Sequence, residues 1–261
     1  MPLQLKLRLS TEDDVPFLKA LWHAAFGWTE DISECFIEQA FPASYCIISE
    51  NHKKPRAALC LIPSYFSGRK AFSVYAAATE AEYRSMGIMS RTTEIIMQWC
   101  AENERALIAK TSAKDTERFF THRGMKPALF FDYISTRESK QTRESTKMIV
   151  RDIGDDEYIA ARHEYAAGGK IAEYNDAFMR FLLLKFRREG GRILRIAYGY
   201  SRFCAAAMFP DKGLVLTEAL ASHDAVKSVL PFLQHRFKTV VAAAFLPTSK
   251  HSDTRHAGLI K

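Results

Sequence analysis

Ser73-Val74-Tyr75-Ala76-Ala77-Ala78-Thr79-Glu80-Ala81-Glu82-Tyr83-Arg84-Ser85-Met86-Gly87-Ile88-Met89-Ser90 is the stretch on which the fold turns. An apolar run of about Lys70–Thr79, opened by the Ser67-Gly68 turn, predicts a strand. The polar run Glu80–Gly87 then predicts a loop carrying Arg-x-x-Gly. Behind it Ile88, Ile95, Ile96, Trp99 and Cys100 share one side of a helix. The unpaired N–H groups of such a loop and helix start, with the positive end of the helix dipole, suit a phosphate or pyrophosphate. Gly87 would let that anion approach the backbone. The string Arg-x-x-Gly is not informative alone, since it begins at Arg84, Arg151, Arg187, Arg188 and Arg255. Only the copy at Arg84 stands between a clear strand and a clear helix, and that context gives it meaning.

Upstream, Thr11 with Asp14 three residues on reads as a capping box. Val15, Leu18, Leu21, Trp22, Ala25 and Phe26 behind it predict an amphipathic helix. Strands are predicted at 44–49 and 57–65, joined by the polar stretch Glu50–Pro55 as a hairpin with a longer loop. Downstream follow a strand at 106–111, a short helix at 115–122 capped by Asp115, and a strand at 128–135. The first half is therefore mixed α/β.

The chain has 261 residues, 48% apolar and 26% charged, which excludes a disordered tail, a collagen-like fibre and a disulfide-stapled mini-protein. Its length admits one large domain or two smaller ones. Cys35, Cys46, Cys60, Cys100 and Cys204 are odd in number and widely spaced, without Cys-x-x-Cys or a Cys/His cluster. They predict a reduced intracellular protein with neither disulfide framework nor zinc. With no secretory signal and no membrane span in the sequence, the expected location is the cytoplasm, without a membrane partner.

Residues 138–147 lack any aliphatic or aromatic side chain and read as a linker between domains at 1–137 and 148–261. The first of these holds 17 basic and 16 acidic residues, whereas the rest of the chain, 138–261, holds 20 and 14. Such a surplus fits a phosphate-rich small ligand as readily as a nucleic acid. Helices are predicted at 155–166, 175–188 and 224–235, and strands at 191–198, 202–209, 214–221 and 239–246. This order makes a structural repetition of the first half plausible. The basic run Arg180, Lys185, Arg187, Arg188, Arg192, Arg195 and Arg202, interleaved with aromatic residues, admits three readings: the solvated face of a surface helix, an anionic-substrate or cleft-lining role, or nucleic-acid binding. The surface helix is the favoured one, and nucleic acid the least favoured.

Thr79-x-x-x-Tyr83-Arg84-x-x-Gly87 between strand and helix, the strand at 106–111, and Asp115–Phe120 leading to Arg123-Gly124-Met125 together resemble the core of the GNAT superfamily of acyl-CoA-dependent N-acetyltransferases. The resemblance spans residues 1–137. It implies an α/β (α+β) fold: a mixed, mostly antiparallel twisted sheet with helices on both faces, two central strands splayed apart. A second, smaller α/β domain would follow. The second half resembles the degenerate partner domain of tandem GNAT proteins, which shapes the acceptor side and binds no CoA; where its loop would lie, Ala219–Ala225 has no glycine.

The resemblance further implies acetyl-CoA as co-substrate and no metal. Its pyrophosphate would rest on the amides of Ser85, Met86, Gly87, Ile88, Met89 and Ser90, and its pantetheine would pair with Ala77, Ala78 and Thr79. Arg84, Arg91, Lys114 and Arg118 are candidates for the nucleotide phosphates, and Phe119 for packing on the pantetheine. Two positions depart from the family pattern. Met89 stands where Gly or Ala is usual, so its side chain would crowd the phosphate unless it turns away. Phe120 stands where a tyrosine usually protonates the leaving thiolate, which points to weak activity or to another proton donor. Ser73, Tyr75 and His122 are substitute candidates, and the carboxylate of Lys261 is a further one by analogy with some multidomain members. The better reading of Arg255–Lys261 is a frayed tail, and of His23 a half-buried packing residue. The expected activity is N-acetylation of a primary amine: small molecule, amino acid, peptide or antibiotic. The alternative is a non-catalytic CoA-binding or regulatory module of the same fold. A homo-oligomer is admitted by either.

Overall fold

A computed structural model describes residues 4–110, 114–137, 148–169, 171–248 and 255–260. The expected linker 138–147 and the C-terminal Lys261 lie outside the described residues. In chain order the first elements are β1 (Leu5–Leu9), α1 (Val15–Phe26), α2 (Glu30–Cys35), β2 (Tyr45–Asn51), β3 (Lys54–Phe66) and β4 (Arg69–Thr79). Then come α3 (Ile88–Glu102), β5 (Ala106–Lys110), α4 (Lys114–Thr121) and β6 (Lys126–Arg137). The remainder is β7 (Ile149–Asp152), α5 (Asp155–Ala166), β8 (Glu173–Tyr174), α6 (Asp176–Arg188), β9 (Arg192–Tyr198), β10 (Ser201–Met208), β11 (Gly213–Ala219), α7 (His223–Arg236), β12 (Val241–Thr248) and β13 (Arg255–Ile260).

The chain forms two compact units that interleave in sequence: residues 1–126, 174–181 and 258–261 in one, 127–173 and 182–257 in the other. This differs from a boundary at 137. Strand β6 runs along β12 from Phe130 to Arg137, so its backbone pairing draws it into the second unit.

In the first unit the strands follow the order β1-β2-β3-β4-β5. The pairs β1–β2, β2–β3 and β3–β4 are antiparallel, whereas β4–β5 is parallel. Helices cover both faces. Phe72 of β4 meets Trp99 of α3 at 5.6 Å between ring centroids. Tyr75 of the same strand points to the other face, against Trp28 at 5.9 Å and Phe36 at 5.7 Å. On the α3 face, Leu59, Leu61, Phe72, Ile96, Met97, Cys100, Leu107 and Phe120 form a buried core.

Local chemistry explains most of these elements. The Thr11 amide donates to the Asp14 carboxylate at 2.8 Å ahead of α1, as the capping box predicts. Gly27, left-handed at φ 67°, ends that helix. The first hairpin is tighter than the polar stretch 50–55 predicts. Only His52 and Lys53 turn the chain, both left-handed at φ 51° and 62°, and a register shift at Ser49/Glu50 absorbs the spare residue. Asp115 lies inside the first turn of α4 instead of capping it. The C-terminal segment is not frayed: Gly258–Ile260 pairs antiparallel with Ile108–Lys110, satisfying backbone groups on the outer edge of β5.

In the second unit the order β7-β9-β10-β11-β12 repeats that of β1 to β5, with antiparallel pairs followed by one parallel pair, β11–β12. Leu194, Ile196, Leu214, Leu216, Val226, Leu230 and Leu233 lie in its buried core.

Candidate functional site

Strand β4 is held on both sides over its first half only. Ala71–Val74 pairs with Ala106–Ala109 of β5, and among the described residues no β5 partner is recorded for Tyr75–Thr79. On its other side β4 stays paired with β3 to Thr79, across a bulge. Cys60 opposes Tyr75 and Ala58 opposes Ala78, so one extra residue is accommodated in β4 between them. Ala76 adopts a left-handed φ of 48° there. A bulge twists the strand and turns its groups out of the ladder. The two central strands thus part at Val74.

The loop after β4 leads straight to a helix start. Ser85 is left-handed at φ 65° and Gly87 at φ 80°, and Gly87 is the N-cap of α3. No side chain caps α3, so the amides of its first turn lack intrahelical partners. A Cβ built on Gly87 would meet no atom within 4 Å; the space before it is open. The helix start is pinned to the sheet from below: Thr92 Oγ1 donates to the Ile88 carbonyl at 2.9 Å and shares a 2.7 Å hydrogen bond with Ser49 Oγ of β2.

Residues 85–90 are those from which a phosphate cradle is expected. Ile88 is buried and anchors the turn, while Ser85, Met86 and Gly87 are exposed. Arg84 folds back, its Nε donating to the Thr79 carbonyl at 3.2 Å. Arg91, Lys114 and Arg118 are exposed. Met89 follows the second of the two alternatives stated for it, turning away from the loop. Its side chain is half-buried and packs against the α3-face core, because its place in the helix turns it to the sheet.

The catalytic candidates are dispersed. Phe120 is buried at 5% exposure among core side chains, with the half-buried Phe119 edge-on at 5.0 Å. Ser73 is buried and shares a 3.1 Å hydrogen bond with Ser64. Tyr75 is half-buried in a nest of rings, 4.9 Å from Phe178 and 6.0 Å from Phe181. His122 is exposed at the end of α4. His23 is exposed instead of half-buried, its Nδ1 2.8 Å from the Trp28 carbonyl oxygen. The Lys261 carboxylate falls outside the described residues. Among the described residues no group of His, Cys, Asp and Glu could hold a metal ion. No helix among them is long and apolar enough to cross a membrane.

One contact of the loop was invisible in sequence. Arg56 of β3 reaches over to Glu80 and Tyr83, which only the sheet register brings near it. In the second unit the corresponding helix start is occupied by its own chain: Ser222 caps α7, its Oγ accepting from the Ala225 amide at 3.4 Å. The basic run is largely paired with acids: Arg192 with Asp152 at 2.6 Å, Arg195 with Glu157 at 2.6 Å, and Arg187 with Asp155.

No protein-family model matches the sequence, and no curated protein matches it either. Solved structures do match. A conserved protein of Enterococcus faecalis V583, described as a probable N-acyltransferase, superposes with a TM-score of 0.75 at 10% identity, over 100% of this chain and 72% of its own. A GCN5-related N-acetyltransferase of Anabaena variabilis gives 0.70 at 11% identity over 99% and 72%. A tandem GNAT protein of the clavulanic acid biosynthesis pathway gives 0.51 at 11% over 100% and 98%. With the splayed central strands and the uncapped helix start, these likenesses show that the chain carries the fold of the GNAT superfamily.

Proposed function

We propose that the chain is an acetyl-CoA-dependent N-acetyltransferase acting on a primary amine, by direct attack in a ternary complex. The observation that supports this best is the coincidence at one place of parted strands and an uncapped helix start. Ala77–Thr79 offers a strand edge for an amide-bearing arm, and the uncapped start of α3, with open space off Gly87, suits a diphosphate. Bound there, acetyl-CoA would supply an activated thioester.

The chain's own residues would do the rest. The bulge at Ala76 directs backbone N–H groups out of the ladder, where one can stabilise the developing oxyanion. Phe120 donates no proton, so water or another group must protonate the leaving thiolate. A free thiol pKa of about 8.5 makes that departure feasible near neutral pH. Tyr75 stands as the candidate on β4 for proton transfer, since Ser73 is already bonded to Ser64. The second unit would bind no CoA, because Ser222 already takes one amide of its helix start and Ala219–Ala225 has no glycine.

The buried Phe120 favours one second reading, a module that binds CoA without turnover. Incubating the purified chain with radiolabelled acetyl-CoA and a panel of primary amines separates the two. Labelled product supports the transferase, binding without product supports the module, and neither contradicts both.

A further inference from the structure

Arg56 has two attachments, and both lead to the loop between β4 and α3. Its carbonyl accepts the Glu80 amide at 2.9 Å, closing the β3–β4 ladder where the loop begins. Its side chain then crosses to the loop itself. Nη1 donates to Glu80 Oε2 at 2.8 Å, and the guanidinium carbon lies 4.1 Å from the centroid of the Tyr83 ring. The Nε is buried with no acceptor among the described residues, as expected of a planar group pressed on a ring. Only a guanidinium can hold a carboxylate with its edge while lying face-on to an aromatic ring.

The charge of Arg56 is engaged by Glu80, so it is not free to meet a ligand's phosphate. What Arg56 can control is the shape of residues 80–87. Ser85, a left-handed residue that is not glycine, must be held there in a backbone conformation an unanchored loop would not keep. A loop ordered in advance does not have to be ordered on binding.

We infer that Arg56 is a positioning residue for the anion cradle: it staples the loop through Glu80 and Tyr83 and so raises affinity for the diphosphate without touching it. The inference rests on the proposed acetyl-CoA site.

The test measures acetyl-CoA affinity by calorimetry and loop exchange by hydrogen–deuterium exchange, for wild type, Arg56→Gln, Arg56→Lys, Tyr83→Leu and Tyr83→Phe. Arg56→Gln and Tyr83→Leu should each weaken binding about tenfold by removing preorganisation, with faster exchange across residues 80–87. Arg56→Lys, which keeps the charge and loses the planar stack, should fall between, and Tyr83→Phe should match wild type. The loss should be the same at low and high salt, because no ligand contact by charge is removed, and in turnover it should appear in KM for acetyl-CoA and not in kcat. Wild-type binding with unchanged affinity in Arg56→Gln overturns the staple and leaves the proposed site standing. Absence of wild-type binding overturns both.

Discussion

The carbonyl of Gly87 accepts the amide of Arg91 at 2.9 Å. That bond sets the first turn of α3 immediately behind a residue with no side chain, and no side chain caps it. In the second unit Ser222 fills the same role with a hydroxyl that bonds back to its own helix. Two strand-to-helix crossings of one design thus differ in whether the helix start is left available.

Gly87 carries this difference through its backbone. At φ 80° an L side chain is strained by about 1 kcal/mol, although a Cβ would meet nothing within 4 Å. Gly87→Ala should therefore lower the melting temperature slightly and weaken acetyl-CoA binding a few-fold. Gly87→Glu should abolish binding, because its carboxylate would face the phosphates. Calorimetry on both variants checks the order.

Met89 should behave as a packing residue. Met89→Ala should lower stability by about 1–2 kcal/mol, less than a fully buried site, because Met89 is half-buried. It should not tighten acetyl-CoA binding. Tighter binding would show that the side chain had been crowding the phosphate.

Phe120→Tyr should not restore a proton donor. The ring is buried among apolar side chains, so the new hydroxyl would lose water without a partner, at about 1–3 kcal/mol of stability. Unchanged turnover with a lower melting temperature is the expected result. A higher rate would show that the hydroxyl reaches the thiol.

Asp14 should govern acid stability in the first unit. Hydrogen bonds from Arg8, at 2.6 and 2.8 Å, hold its carboxyl below the ordinary range, helped by the Thr11 amide. The group is deprotonated more readily folded than unfolded. Its contribution is therefore complete above about pH 4, the unfolded value, and is lost as pH falls through the lower folded value. Asp14→Asn should cost about 1–3 kcal/mol at pH 7, and the gap to wild type should close as pH falls below about 4. Thermal melts across that range test it.

The five thiols are buried. Burial pushes Cys100 up to about 11 and Cys60 upward as well. Native protein at pH 8 should show no fast-reacting thiol toward a disulfide reagent, and all five after denaturation.

The parts of this architecture that were legible beforehand are those with local causes. Helical spacing from Val15 to Phe26 and from Ile88 to Cys100 places α1 and α3, but not the buried face in full, since Phe26, Ile95 and Trp99 are exposed. The Arg84–Gly87 loop is likewise local, since strand, glycine and helix are contiguous. The edge strands β1 and β7 were not legible. Leu5–Leu9 is only half covered and Ile149–Asp152 has four residues, so neither makes a periodic pattern. The six-residue α2 is too short to show one. The direction of Met89 depends on the rotation of α3 against the sheet, which no spacing reveals. Arg56 meets Glu80 and Tyr83 only through the β3–β4 register, a pairing across more than twenty residues.

The most direct test of the central claim is a calorimetric titration of acetyl-CoA into the wild-type chain and Gly87→Glu. Saturable one-to-one binding in the micromolar range, about 8 kcal/mol, is expected for wild type and none for the variant. Absence of wild-type binding, or equal affinity in Gly87→Glu, would contradict it.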